Sequence, residues 1–157
     1  MKFKMFFSLF FLSTHFALAA PLPGAKITAY LIRLKPGQDV LAEVESFVKE
    51  NKLEAAAIVS AVGSLKEASI RYADKDDATH LKGPFEIVSL SGTTAISGSH
   101  LHLSISDGSG KTLGGHLMPG SIVYTTLELV IDAYPALKMT RETDATYGYQ
   151  ELVVRKK

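Results

Sequence analysis

From Ser99 to Ser106 the chain alternates without a break: Leu101, Leu103 and Ile105 fall on one side of an extended backbone, and His100, His102, Ser104 and Ser106 on the other. A two-residue period of this kind describes a strand with one buried face, and it commits the surrounding domain to a β-sheet with a core beneath it. Asp107-Gly108-Ser109-Gly110-Lys111 then supplies a turn, and Thr112 to Leu117 reads as the returning strand. Loop length decides what faces what. A three-residue loop, Gly108-Ser109-Gly110, opposes Asp107 to Lys111 and sets His102 across from His116, with Cβ atoms about 4.5–5.5 Å apart and His100 on the diagonal. A two-residue loop opposes Asp107 to Gly110 and turns His116 to the other face. Gly114 and Gly115 offer a third outcome, a bulge that resets the pairing.

Three neutral imidazoles converging on a polar face are what a divalent transition metal needs: nitrogen donors at about 2.0–2.1 Å with a fourth position left for water. His100, His102 and His116 are therefore the candidate ligands, and zinc is the first choice of metal. The plainer reading is that the polar half of a half-exposed strand happens to carry histidines. Other chemistry fares worse. Gly108-Ser109-Gly110-Lys111-Thr112 ends like a phosphate-binding loop, but that motif needs a glycine where Ile105 stands and a helix where Leu113 to Leu117 reads as strand. There is no G-x-S-x-G elbow, no cysteine and no HExxH. His80 falls in a polar stretch, Asp74 to Lys82, read as a surface loop. Glu86, near the start of a strand, is a candidate base or extra ligand, with a solvated strand residue as the plainer account.

Elsewhere the pattern predicts a strand over Ile27 to Leu34, ended by Lys35-Pro36-Gly37, and then a helix capped by Asp39 and reaching about Asn51. Val40, Val44, Phe47 and Val48 share one face of that helix, the one strongly amphipathic segment in the chain. Ala55 to Val62, Ser69 to Tyr72, Phe85 to Ser91 and Ile122 to Ile131 read as further strands, and Tyr149 to Val154 as a closing edge strand. Several strands after one helix make an α+β domain built on a mainly antiparallel β-sheet.

The first 19 residues have the anatomy of a cleaved signal peptide: basic Lys2 and Lys4, an apolar run from Met5 to Phe16, and the small-residue exit Ala17-Leu18-Ala19-Ala20. The run is short for a bilayer span, so no stable membrane anchor is expected after cleavage, and the mature protein is expected to be secreted or periplasmic. Residues 20–26 are a proline-containing lead-in, residues 27–154 a single domain and residues 155–157 a basic, solvated tail. Without the leader's two lysines, 15 basic side chains face 16 acidic ones, which leaves no positive excess for neutralising phosphates and makes nucleic acid an unlikely partner. With no cysteine the domain must hold itself by its core; about 138 residues, drawn from a chain 46% hydrophobic and 21% charged, are enough for one.

GPFEIVSLSGT (Gly83 to Thr93), SHLHLSISDGSGKTLGGHLMPGSIVYTTLELVI (Ser99 to Ile131) and YGYQELVV (Tyr147 to Val154) together resemble the PPC (plants and prokaryotes conserved) domain, over about Ile27 to Val154. The resemblance implies an antiparallel sheet flanked by helices, assembly as a homotrimer and, in bacterial-type members, a metal held by the histidines that correspond to His100, His102 and His116. Plant members join the domain to an AT-hook, and this sequence contains no such Arg-Gly-Arg-Pro element. The leading expectation is thus an exported trimeric metal-binding protein of unassigned activity, with room for a small-molecule ligand. A non-catalytic binding or assembly module and a DNA-binding protein are the alternatives.

Overall fold

The computed structural model describes residues 26–157; the expected leader, residues 1–19, and the lead-in up to residue 25 lie outside the described residues. The chain runs β1 (Thr28–Leu34), α1 (Val40–Glu50), β2 (Ala56–Arg71), β3 (Thr79–Ala95), β4 (Gly98–Ser106), β5 (Thr112–Leu117), β6 (Ile122–Ala133), β7 (Leu137–Thr143) and β8 (Gln150–Lys156). Six strands form one antiparallel sheet in the order β1-β6-β2-β3-β4-β5, and β7 and β8 form a separate two-stranded ribbon. The α+β expectation holds, with α1 the one helix among the described residues. None of the described helices is long and apolar enough to cross a membrane.

Helix α1 forms where its caps and apolar stripe predict. The Asp39 carboxylate accepts from the Ala42 N–H at 3.0 Å, satisfying a donor in the first turn. Its other oxygen accepts from the Gly120 N–H at 2.6 Å, which ties the helix start to the turn before β6. Val40, Val44 and Val48 are fully buried in the same core cluster as Leu65, Leu127 and Ile131 of the sheet, while Phe47 meets Tyr30 edge to face at 5.2 Å. Removing the apolar area of these side chains from water, roughly 25 cal/mol per Å², is the main force holding helix to sheet.

Strand β2 is longer than the sequence suggests because it merges two predicted strands, Ala55 to Val62 and Ser69 to Tyr72. Its pairing with β6 slips at Ile58/Ser60, Gly63/Leu65 and Leu65/Glu67, and such bulges bend a strand. The bend lets the two ends of β2 serve different neighbours: Ala56 and Ala57 pair with β3 and β6, whereas Ile70 and Arg71 pair with Leu117 and His116 of β5. Strands β2 to β5 thereby close on themselves.

Three expectations are corrected. Thr79 to Lys82 is not loop but the start of β3, paired with Glu67 to Ile70, so His80 stands exposed on a strand. Tyr149 to Val154 is not an edge strand of the main sheet; β8 pairs with β7, a strand that the sequence reading missed because its alternation is masked by charged and hydroxyl residues. The terminal basic residues are solvated as expected but are not all tail, since Arg155 and Lys156 lie in β8, Arg155 bonds Glu142 at 2.7 Å, and Lys157 reaches Glu54. The ribbon is seated on the end of the sheet by Met139, buried with Ala55 and Ala95, and by bonds from the Met139 N–H to the Glu54 carbonyl and from Ser97 Oγ to the Met139 carbonyl, both 2.8 Å.

Candidate metal centre

The β4–β5 hairpin adopts the three-residue loop. The Asp107 N–H donates to the Lys111 carbonyl at 3.0 Å, and Gly110 takes φ +82°, a conformation that favours glycine. Asp107 fixes the turn further by accepting from the Ser109 N–H, Ser109 Oγ and the Lys111 N–H, and these bonds hold its carboxyl below the usual carboxylate range. His102 therefore faces His116 across the ladder, with no bulge between Ser106/Thr112 and that pair. Leu101, Leu103 and Ile105 are buried beneath them.

The glycines before His116 act through close approach. A Cβ on Gly115 would stand 2.6 Å from the Arg71 carbonyl oxygen and 2.9 Å from Ile70 Cγ2, and one on Gly114 would stand 2.6 Å from the Leu103 carbonyl oxygen. Only bare backbone lets β5 fit between β4 and β2, and that fit sets the position of His116.

The three imidazoles meet on one face. His100 Nε2 and His102 Nε2 are 3.3 Å apart, and one ligand nitrogen from each of His100, His102 and His116 lies within 4.8 Å of the others. The His116 ring stacks on His100 at 5.0 Å and meets His102 edge to face at 4.6 Å. Two nitrogens each about 2.0–2.1 Å from a common tetrahedral ion stand roughly 3.3–3.4 Å apart, so the first pair already has the spacing a zinc-class ion requires. The donor set fits such an ion, and the third ring is within reach by side-chain rotation.

Cations surround the cluster. Arg141 of β7 donates from Nη2 to Thr93 Oγ1 at 2.8 Å and sets Nη1 3.3 Å from His100 Nδ1. Arg71 of β2 lies opposite His116 in the ladder. Partial burial, then Arg141 and His102, push the His100 pKa below its ordinary value, with Glu151 opposing; partial burial, then Arg71, do the same at His116. Both shifts favour the neutral ring, the form that binds metal. A groove of about 690 Å³ opens beside the cluster, lined among others by Arg71, His100, His116, Arg141, Tyr149 and Glu151.

All three predicted ligands come together, while His80 and Glu86 are exposed on β3, with Glu86 paired in the ladder to Ser64 and Ser106. Arg71, Arg141 and Glu151 were missed. Arg141 lies 41 residues from His100 in sequence, and no local pattern announces that the ribbon will fold over the hairpin.

A model of the Plants and Prokaryotes Conserved (PCC) domain matches residues 23–135. The chain is 42% identical over 136 residues to the bifunctional protein GlmU of Synechococcus sp. (strain JA-3-3Ab), covering 87% of this chain and 22% of that protein. It is 30% identical over 119 residues to the AT-hook motif nuclear-localized protein 14 of Arabidopsis thaliana, covering 68% of this chain and 29% of that protein. The chain thus spans less than a third of either relative. Among solved structures it is similar to a hypothetical protein from Salmonella enterica, with TM-score 0.84 and 46% identity over 85% of this chain and 97% of that one. It is also similar to a metal-containing protein from Archaeoglobus fulgidus, with TM-score 0.71 and 26% identity over 85% of this chain and 99% of that one.

Proposed function

The chain belongs to the Plants and Prokaryotes Conserved domain family, and from that premise we propose that it is an exported, trimeric protein that holds a divalent transition metal, zinc first, on His100, His102 and His116. The observation that carries this reading is the convergence of three ring nitrogens within 4.8 Å, two of them 3.3 Å apart. The metal-containing relative from Archaeoglobus fulgidus supports it. When bound, the ion supplies Lewis acidity at its remaining coordination position. This chain's own residues do the rest: β4 and β5 orient the rings, Leu101, Leu103 and Ile105 exclude water beneath them, and partial burial together with the flanking arginines disfavours protonation of His100 and His116.

Assembly as a trimer follows from the family resemblance and is supported by the exposed apolar side chains Leu31, Val59, Val62 and Val88, which another subunit can cover. Export is supported by the basic start and apolar run of residues 1–20. DNA binding is the weaker reading, because this sequence carries no Arg-Gly-Arg-Pro arm and its formal net charge is only +1.

Elemental analysis of native, untagged protein tests the centre. Wild type is expected to carry about one metal per chain and His102→Ala to lose at least about tenfold in affinity; unchanged stoichiometry and affinity in the variant would remove the site. Sequencing of the mature N-terminus checks export, and sedimentation equilibrium checks the trimer.

A further inference from the structure

Arg71 and Arg141 line the same groove as His100 and His116, and neither has a carboxylate within ion-pair distance among the described residues, where the ion pairs are Lys138–Glu54, Arg155–Glu142 and Lys157–Glu54. Arg71 gives one bond, from Nη1 to the Lys75 carbonyl at 3.1 Å. Arg141 gives one to Thr93 and one toward His100. A guanidinium carries five N–H donors in a planar fork shaped to a two-oxygen anion, so most of the donors on this wall have no protein acceptor.

The Arg141–His100 contact narrows the chemistry. A guanidinium only donates, so His100 Nδ1 must accept, which puts the ring proton on Nε2, the nitrogen that faces His102. Were Nε2 to hold a metal, the neutral ring would carry its proton on Nδ1, and two donors would face each other across 3.3 Å. One group with two acceptor oxygens resolves the conflict, the role that carboxylates take behind metal-bound histidines. Glu151 lines the groove but makes no bond to either donor.

We infer that the metal-loaded groove binds a small molecule through a carboxylate group, held between Arg141 and Nδ1 of His100 with Arg71 as the flanking cation. The inference rests on the metal reading above. A carboxylate suits the groove better than a phosphate because Asp74, Asp76 and Glu151 stand against Arg71, Lys75 and Arg141 there, a balance that tolerates one added negative charge better than two. Arg141 and Glu151 belong to the β7–β8 ribbon, beyond residues 23–135 that the family model matches, whereas Arg71 lies within them.

The test uses the full chain loaded with zinc at constant ionic strength, titrated with acetate and separately with inorganic phosphate. Arginine side-chain N–H resonances report the anion, and elemental analysis reports the metal. Acetate is expected to shift the Arg141 resonance saturably. Arg141→Gln should weaken acetate binding by roughly tenfold or more with zinc stoichiometry kept, Arg141→Lys should fall between it and wild type, and Arg33→Gln on β1 should change nothing. Saturation by phosphate alone overturns the proposal, as does acetate binding that develops only in Glu151→Gln, since Glu151 then fills the position itself. A zinc-loaded protein indifferent to acetate refutes this inference alone, whereas a protein that takes up no zinc refutes the metal reading and this inference with it.

Discussion

Gly115→Ala is the substitution in which stability and metal binding should fall together. The added Cβ would sit 2.6 Å from the Arg71 carbonyl oxygen and 2.9 Å from Ile70 Cγ2, backbone and core on the paired strand β2, neither of them a flexible side-chain end. Gly115 does not have a positive φ, so the cost is steric alone. Overpacking of this kind costs about 1–3 kcal/mol, and stiffening the unfolded chain returns roughly 0.4–1 kcal/mol, which leaves a net loss centred near 1 kcal/mol and at most about 2.6 kcal/mol. Relief requires β5 to move away from β2, and His116 moves with it, so zinc affinity should drop by about tenfold or more, as when a group that orients a ligand is lost. Gly108→Ala is the control: its Cβ meets nothing within 4 Å and its φ is not positive, so it should stay within about 0.5 kcal/mol of wild type. Urea unfolding, with the midpoint compared at unchanged slope, and competition for zinc against a chelator read the two effects. If Gly115→Ala matches Gly108→Ala in both measurements, β5 is not held by close approach to β2, and the account of how His116 is positioned is wrong.

Asp39→Ala should cost about 1–2 kcal/mol by thermal unfolding, because the carboxylate caps α1 and also anchors the Gly120 N–H, and Asp39→Asn should recover only part of it, since its single amide oxygen can accept from one of the two N–H groups and its NH2 from neither. Leu103→Ala, which empties a fully buried site beneath the hairpin, should cost about 2–5 kcal/mol. His100 and His116 have folded-state pKa values below the ordinary imidazole value, so the unfolded chain takes up protons first. The metal-free protein should therefore lose stability as pH falls through about 6.5, with the loss levelling off below the depressed folded values, and zinc retention should decline over the same range. Urea midpoints between pH 8 and pH 5 check the sign; a midpoint that rises on acidification refutes it.

The hairpin was legible because its information is local. Side chains on a strand repeat every two residues and loop length sets register, so the spacing around Gly108-Ser109-Gly110 confined His116 to three outcomes, of which the three-residue loop opposes it to His102 and is the one the fold adopts. The helix was legible for the same reason, as Asp39 and the valine stripe lie within one short segment. Strand β7 was not, since Leu137 to Thr143 has one buried residue, Met139, among charged and hydroxyl neighbours. The start of β3 was read as loop because Thr79 to Lys82 is polar; pairing with the already ordered β2 makes it a strand.

What the residues determined unaided was a mainly antiparallel domain with one amphipathic helix, a core-backed hairpin, and His100 and His102 on one face of its first strand, all consequences of periodicity and capping over fewer than twenty residues at a time; the face of His116 was settled only by the register the hairpin adopts. The surroundings of those imidazoles were decided by the tertiary fold. The bend of β2 that brings Arg71 beside His116, and the seating of the β7–β8 ribbon that brings Arg141 to His100, join residues some 41 to 45 positions apart. Such contacts arise from burial of Met139 and from backbone fit at Gly115, which act through space and leave no repeating mark along the chain.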